Sequence, residues 1–475
     1  FSNFVWMFLQ TEGDYNFSSG SRGRGNLSST ANPYFLFPQI YNFRYNIYSS
    51  EWPVANRAIE LYLQKKSENE GWERQINGLS NNEKANLLLE KHTFKELLAD
   101  VEQRNLQNNI VGLEASRLFA RSEINMGVDA FRDSLYAMLK RNTFLNIKFE
   151  NMLDTLGEMS RTDLYSYLKE WEQLTPLPFY SIGEPELTKV VNKGGEEFFV
   201  LKVLVSNNSD YDGIIQMNVL QNGWWYQPME DPRARKKVEI AAHTSKEFVS
   251  VWEEQIRDVE INTMVSGNLP YMIRQSIGNV KQERNKIVKD TIYTLPESSL
   301  EMPGEVIVDN EDSTLFVLST PAVVGLLPKW LDKVEDTSFK YSGISWWRAP
   351  LQWTATTNAK YYGKYIRSAY VIKSGDGSQT ATWKIPVPEA GQYELYYHVF
   401  KDDELRWNDR LQGEYHFRVA YDSEMEDAYI NLRKANEGWE QLGTYYFSAD
   451  TVRVVLTDEC KLRSVTADAV KIVKR

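Results

Sequence analysis

Tryptophans that fall between predicted strands are the residues of this sequence best suited to contact a ligand. Trp346 and Trp347 are adjacent, so a strand would point them to opposite faces and bury at most one of them. Trp353, Trp407 and Trp439 lie at the edges of turn segments. A ring held on a loop presents a flat apolar face and a polar edge, which suits stacking on a sugar or fitting a protein surface.

The densest polar and aromatic grouping surrounds Trp407, where Asp402, Asp403 and Arg406 stand within six positions. The alternative is that the loop rings plug the ends of a sandwich and the carboxylates form a solvated loop. A solvated loop is also expected for the acidic run from Asp422 to Asp427. The predicted ligand-binding residues are Trp346, Trp347, Trp353, Asp402, Asp403, Arg406, Trp407 and Trp439.

Metal and catalytic patterns are missing from the sequence. None of the four histidines stands in HExxH, and no two lie at i, i+4, so a zinc-peptidase site is excluded. Asp210, Asp212 and Gly213 resemble a calcium loop but lack the third carboxylate and the bidentate Glu, which favours an Asx turn. We therefore predict no catalytic residue, no metal and no cofactor. A hydrolase active in its own right would need a deep cleft with two facing carboxylates.

Composition limits the partners. The 475 residues include 54 Lys or Arg and 65 Asp or Glu, a net charge of −11, which argues against a nucleic-acid partner. The single cysteine, Cys460, cannot form an internal disulfide. No apolar stretch reaches the roughly 20 residues that span a bilayer. The sequence begins at Phe1 without a signal peptide, so we expect a piece of a longer chain whose membrane attachment, if any, lies upstream.

Helical periodicity dominates the first part of the chain. Residues 1–50 are predicted to be an aromatic-rich wrapping segment containing a flexible Gly, Ser and Arg loop at 18–30. Residues 51–180 carry apolar positions at helical spacing, which predicts a bundle of several helices. Ser80 and Glu83 have the spacing of a capping box.

After Pro178 the period changes to two. Apolar alternation from Phe199 to Val205 and from Ile215 to Val219, on either side of SNNSDYDG, predicts a hairpin. Further alternating runs predict an immunoglobulin-like β-sandwich at 181–268. The Pro- and charge-rich run at 269–302 is predicted to be a linker, with a short helix at 278–289.

The C-terminal third has the clearest strand pattern. Alternate positions from Ala381 to Val387 are apolar, and so are alternate positions from Tyr393 to Val399. The Pro-Glu-Ala-Gly segment at 388–391 between them favours a hairpin. Three further runs follow the same rule. An antiparallel β-sandwich is the simplest fold that accommodates all of these strands.

This third also resembles a known family. The segments YGKYIRSAY, ATWKIPVPEAGQYELYYHV, GWEQLGTYYF and ADAVKIV, in this order, are similar to the golvesin-type C-terminal domain, also called the xanthan-lyase-type carbohydrate-binding-like domain. In that family a VDN triplet, here Val308 to Asn310, opens the first strand, which places the domain at 303–475 with an insertion at 311–342. The resemblance implies a binding appendage of a larger extracellular bacterial protein.

A second resemblance concerns residues 120–180. The spacing of Phe131, Leu135, Phe149 and Trp171, followed by the Pro-Leu-Pro segment ending at Pro178, is similar to the closing helices of HExxH zinc aminopeptidases. The catalytic motif of that family is missing here, so the resemblance implies only a shared helical part.

Together these patterns predict a multidomain α and β protein: an N-terminal helical bundle, an immunoglobulin-like β-sandwich, and a C-terminal antiparallel β-sandwich of jelly-roll or golvesin-like form. We expect a non-catalytic, extracytoplasmic bacterial scaffold, periplasmic or on the cell surface, whose last domain binds a polysaccharide or a protein partner. The alternative is the accessory C-terminal part of a zinc-peptidase-like or transporter-fused membrane protein whose active portion lies upstream.

Overall fold

The computed structural model describes residues 45–475 except 64–69, 221–230, 279, 285–287, 299, 301–303, 320–338, 345–348, 402–412 and 423. The loop expected at 18–30, almost all of the aromatic segment 1–50 and most of the insertion 311–342 lie outside these residues. No helix in the described parts of the chain combines the length and the apolar character needed to cross a bilayer.

Helices occupy the first described region, up to residue 172. The α-helices are α1 (Ala55–Leu63), α2 (Glu70–Asn77), α3 (Asn81–Leu89), α4 (Phe94–Ala99), α5 (Gln107–Met126), α6 (Val128–Arg141), α7 (Phe149–Ser160) and α8 (Leu164–Lys169). Short 3-10 turns lie at Arg104–Leu106 and Glu170–Glu172. Strand β1 (Tyr45–Tyr48) pairs in parallel with β2 (Leu145–Lys148) beside the helices.

The predicted capping box at the start of α3 is confirmed. The Ser80 hydroxyl accepts from the Glu83 amide, and the Glu83 carboxylate accepts from the Ser80 amide at 2.7 Å. Thr93 and Glu96 make the same pair of bonds at the start of α4. Each box satisfies two amides that have no partner inside the helix, and so fixes where the helix begins.

The helical core is built on aromatic rings. Trp171 packs against Trp52 and Phe94, with ring centroids 5.2 and 4.6 Å apart. Phe131 and Phe149, which contributed to the aminopeptidase resemblance, are buried in the same core. Their spacing is therefore explained by helix packing alone.

The middle region is a sandwich of two sheets around one apolar core. One sheet has the order β10-β9-β6-β7 and the other the order β11-β4-β5-β8-β12, with β3 also paired to β5. The strands are β3 (Tyr180–Ile182), β4 (Glu186–Val191), β5 (Glu197–Asn207), β6 (Gly213–Leu220), β7 (Arg235–Ile240), β8 (Thr244–Trp252), β9 (Asp258–Asn262), β10 (Met272–Ser276), β11 (Val280–Arg284) and β12 (Thr291–Pro296). A 3-10 turn at Pro232–Ala234 precedes β7.

The structure differs from the prediction of a linker at 269–302 with a helix at 278–289. Strand β10 pairs with β9, β11 pairs in parallel with β4, and β12 pairs with β8. Both β11 and β12 are edge strands whose side chains are mostly exposed. Edge strands carry charge and proline because these residues discourage further pairing, so their composition resembles that of a linker.

The C-terminal region is a second sandwich. Its sheets have the orders β13-β24-β18-β21 and β14-β17-β22-β19-β20, with a smaller sheet β15-β16-β23 beside them. The strands are β13 (Glu305–Val308), β14 (Phe316–Leu318), β15 (Thr354–Thr357), β16 (Ser368–Lys373), β17 (Thr380–Pro386), β18 (Gly391–Val399), β19 (Glu414–Tyr421), β20 (Glu424–Asn431), β21 (Gly438–Phe447), β22 (Thr451–Thr457), β23 (Ser464–Ala467) and β24 (Val470–Lys474).

Three local predictions are wrong. The segments at 206–213 and 388–391 are not hairpins, because β5 and β6, and likewise β17 and β18, belong to different sheets. A turn sequence shows that the chain reverses and leaves the next pairing partner open. The VDN triplet does not open the first strand either, since Val308 ends β13 and Asp309 follows it.

Polar contacts join the three regions. Glu123 of α5 pairs with Lys237 of β7, which ties the helices to the middle sandwich. The Thr357 hydroxyl of the C-terminal sandwich donates to the Gly78 carbonyl of the helical region at 2.9 Å. The Leu269 amide of the middle region donates to a C-terminal carbonyl, that of Tyr365, at 3.0 Å.

Candidate ligand-binding site

The sheet β13-β24-β18-β21 has one face in the core and one face turned outward. Val308 and Ile472 are buried in the core of the sandwich. Because successive side chains of a strand alternate, the neighbouring residues face outward. Ile307, Lys471 and Tyr396 lie side by side on this outer face, on β13, β24 and β18.

Lys471 links two aromatic rings on the outer face. Its ammonium lies 4.9 Å from the ring centroid of Trp439 and 5.3 Å from that of Tyr396, within the range of a cation-π contact. The same ammonium lies 2.7 Å from a carboxylate oxygen of Glu305. These contacts hold a cation between two partly exposed rings.

Trp439 is also held from its other side. It lies opposite His398 in the pairing of β18 with β21, and the two ring centroids are 5.2 Å apart. The ring of Tyr362 lies 5.0 Å from that of Trp439. The indole is therefore fixed by packing, which reduces the entropy lost when a ligand stacks on it.

A buried carboxylate fixes these neighbours. Asp468 is fully buried and lies 2.8 Å from Nδ1 of His398. It also accepts from the backbone amide of Tyr362 at 3.2 Å. Burial raises the pKa of Asp468 above the usual Asp value, and the neighbouring His398 opposes this shift. Asp468 thus anchors one strand residue and one loop residue of the site.

A pocket of about 200 Å³ opens beside these rings, lined by Glu305, Ile307, Asp309, Tyr362 and Lys364. Burial and the charge of Asp468 raise the pKa of Asp309 well above the usual Asp value. Asp309 therefore keeps its proton to a higher pH than an ordinary Asp and can then donate a hydrogen bond.

The loop that carries Tyr362 and Lys364 turns back sharply on the sandwich. A Cβ atom at Gly363 would lie 1.9 Å from the carbonyl oxygen of Ile366, so a larger residue would push the loop open. The end of the loop is tied to the middle region, because the Arg367 amide donates to the Leu269 carbonyl at 2.6 Å. The wall of the pocket is thus held from two sides.

These groups suit the recognition of a hydroxyl-rich ligand. The rings offer apolar faces, while a carboxyl, a carboxylate and ammonium groups offer hydrogen bonds in several directions. Asp468 is fully buried and bonded to His398, so the carboxyl groups that line the pocket are those of Glu305 and Asp309. Among the described residues, no group of three or more His, Cys, Asp or Glu side chains could hold a metal ion.

The predicted ligand-binding residues separate into three groups. Trp439 is part of the site. Trp353 is partly buried and packs against the C-terminal core, where its indole Nε1 has no hydrogen-bond partner among the described residues. The other six lie outside the described residues: Trp346, Trp347, Asp402, Asp403, Arg406 and Trp407.

Two acidic predictions have clear outcomes. Asp210 lies 2.8 Å from Nε2 of His243, and Asp212 accepts from the amide of Ala242, so both carboxylates have protein partners. The Asx turn of this segment begins at Asn207, three residues before Asp210, where the Asn207 side chain accepts from the Ser209 amide. The acidic run that ends at Asp427 is mostly strand β20 and not a loop.

Four residues of the site were not among the predicted ligand-binding residues: Asp309, Tyr362, His398 and Lys471. For Lys471 a signal existed, because it stands between Val470 and Ile472 in an alternating run and must face away from the core. The same signal existed for His398, which stands between Tyr397 and Val399. Asp309 and Tyr362 belong to segments that the fold brings together from distant positions, and no local pattern marks them.

Comparison with protein families supports the assignment of this region. Residues 347–474 match the model of the Golvesin C-terminal domain, which confirms the resemblance of the C-terminal third. The match covers little more than a quarter of the chain. Comparison with curated proteins gave no match. The resemblance of residues 120–180 to aminopeptidases receives no support from any of these comparisons.

Among solved structures, similarity is found to a Paenibacillus xanthan lyase, with 17% identity over 63% of this chain and 27% of that chain and a TM-score of 0.26. A Bacteroides uniformis beta-glucuronidase is 11% identical over 66% of this chain and 32% of that chain, with a TM-score of 0.18. The structure of Sulfolobus Turreted Icosahedral Virus is 9% identical over 62% of this chain and 92% of that chain, with a TM-score of 0.13. The chain thus spans about a third or less of the two bacterial enzymes.

Proposed function

We propose that the C-terminal sandwich binds glycan at the Trp439 site without transforming it. The helical region and the middle sandwich act as its scaffold in an extracytoplasmic protein. Their polar contacts with each other and with the C-terminal sandwich suit this role, because they hold the binding face in a fixed position.

The arrangement of Lys471 between Trp439 and Tyr396, beside the pocket of Asp309, carries this proposal. Sugars combine apolar ring faces with many hydroxyls, so a site for them needs aromatic surface and polar groups together. The match of this region to the Golvesin C-terminal domain is consistent with an extracellular binding role.

Affinity electrophoresis of the whole chain tests the proposal. Gels containing cellulose derivatives, xylan, laminarin, xanthan or polygalacturonate are compared with a gel without polysaccharide. We expect retardation by at least one polymer. Trp439→Ala should weaken it about tenfold, roughly 1.4 kcal/mol, because an immobilised aromatic anchor is lost.

Tyr293→Ala is the matched control, since Tyr293 is an exposed ring on β12 of the middle sandwich. It should bind as the unaltered protein does. Melting temperatures of both variants show that they are folded. Unchanged retardation of folded Trp439→Ala, or no retardation by any polymer, would refute the proposal.

A further inference from the structure

A second aromatic surface lies on the opposite sheet of the C-terminal sandwich. Tyr429 of β20 is 58% exposed, although it stands in a regular strand. It pairs directly with His416 of β19, and the two rings are stacked, with centroids 4.9 Å apart and planes 9° apart. One face of the phenol ring therefore packs on protein, while more than half of the surface of Tyr429 is exposed to solvent.

Hydrogen bonds fix the supporting imidazole. Nε2 of His416 lies 2.8 Å from an oxygen of Asp427, and Nδ1 lies 3.2 Å from an oxygen of Glu459. The His416 side chain is 11% exposed, whereas the side chains of Asp427 and Glu459 are 60% and 61% exposed. The imidazole is thus immobile, while both carboxylates keep solvent-facing oxygen atoms.

We propose that Tyr429, with Asp427 and Glu459, forms a second saccharide-binding platform. A pyranose ring would stack on the supported phenol ring and donate hydrogen bonds from its hydroxyls to the two carboxylates. The class of ligand rests on the proposed function of the Trp439 site, whereas the existence of the platform rests on the contacts of Tyr429. The ring is preorganised, so little conformational entropy is lost on binding.

The two sites face in different directions. Inward residues of both large sheets, such as Leu395 of β18 and Phe417 of β19, share one core. The outer faces, with Trp439 on one sheet and Tyr429 on the other, therefore point away from each other. One molecule can then hold two polymer strands, or two parts of one strand, and gain avidity without any further contact.

Light scattering with the polysaccharide that retards the protein most strongly tests the platform. The unaltered chain should cross-link long polymer and raise the scattering. Tyr429→Ala should remove cross-linking and leave the binding at the Trp439 site, so retardation falls severalfold at most. Tyr429→Phe should retain both effects, because it keeps the ring. Trp439→Ala combined with Tyr429→Ala should abolish retardation.

The control is again Tyr293→Ala, an exposed tyrosine outside the C-terminal sandwich, which should cross-link normally. If folded Tyr429→Ala cross-links as well as the unaltered chain, the second platform is wrong while the Trp439 site stands. If no polymer is retarded by the unaltered chain, both proposals are wrong.

Discussion

Two buried networks of charged side chains in this molecule have similar chemistry and different surroundings. Glu123 is fully buried between the helices and the middle sandwich, where it pairs with Lys237 and accepts from the Tyr62 hydroxyl at 2.7 Å. Asp468 is fully buried in the C-terminal sandwich, where it bonds to His398. Burial lowers the pKa of Lys237 and raises that of Asp468.

The difference lies in what borders each network. Protein surrounds the network of Glu123, whose partner Lys237 has a side chain only 8% exposed. The network of Asp468 reaches Trp439 through His398, and it reaches the pocket through Tyr362, whose amide donates to Asp468. A shifted pKa therefore does not by itself mark a ligand site. An open side, with rings and hydrogen-bonding groups facing solvent, is the distinguishing feature.

The largest effect on stability is expected at the network of Glu123 and Lys237, which is the closed network because protein surrounds it. Glu123→Ala leaves the Lys237 ammonium buried without its partner, which should lower the free energy of unfolding by about 3 to 5 kcal/mol. Urea unfolding measures this loss. Glycan binding, measured at a temperature where the variant is folded, should be unchanged because the site lies in the other sandwich.

A double variant is the control for this prediction. Adding Lys237→Met to Glu123→Ala removes the unpaired charge and should recover part of the lost stability. A loss below about 1 kcal/mol in Glu123→Ala would contradict the closed character of the network.

The network of Asp468 and His398 is the open network, because it borders a pocket. A change there should have a smaller effect on stability and should also affect binding. Asp468→Asn removes the charge-assisted bond to His398 and should cost about 1 to 2 kcal/mol. It should also weaken glycan retardation, because His398 and Tyr362 help to hold Trp439.

Asp427→Asn is the matched control for stability, because Asp427 also bonds to a histidine but is 60% exposed. Its unfolding free energy should stay within about 0.5 kcal/mol of that of the unaltered chain. Equal losses in the two variants would show that burial does not distinguish these carboxylates.

The rows of buried residues were predictable from the sequence, and their pairing was not. Every alternate residue from Ala381 to Val387 and from Tyr393 to Val399 is buried, as the period of two predicted. The two strands nevertheless belong to different sheets. Alternation depends on which face is buried, whereas pairing depends on contacts between distant segments.

The same reasoning explains two of the strands missed at 269–302, β11 and β12. Leu295 of β12 is exposed, and β11 has no buried residue, so neither strand has a fully buried face. Without burial there is no alternating apolar pattern. These strands are stabilised by backbone bonds to β8 and β4, which do not depend on side-chain type.

Of the candidate site, the sequence selected Trp439 as a ligand-binding residue and marked Lys471 and His398 only as outward-facing. Asp309 and Tyr362 are separated by about fifty residues, and Lys471 lies a further hundred along the chain. Cross-strand register brings Ile307 beside Lys471, and thereby brings the start and the end of the sandwich together. Aromatic residues on turns mark where a ligand can stack, but the polar half of the site depends on this long-range register.

The smallest effect expected is a change in the pH dependence of stability. Burial and Asp468 raise the pKa of Asp309, so the folded chain binds this proton more tightly than the unfolded chain. The resulting stabilisation is fully present below the ordinary Asp pKa and is lost as the pH rises through the raised pKa. In Asp309→Asn this contribution is missing.

Urea unfolding at several pH values measures this contribution. The difference in unfolding free energy between Asp309→Asn and the unaltered chain separates it from the contributions of other buried carboxyls. Relative to the unaltered chain, Asp309→Asn should become more stable as the pH rises from 4 toward neutrality. Glu311 also acts on Asp309, so Glu311→Gln should shift the window to lower pH without removing it. A difference that stays constant with pH would mean that Asp309 is solvated as an ordinary surface carboxylate and that its pKa is not raised by burial.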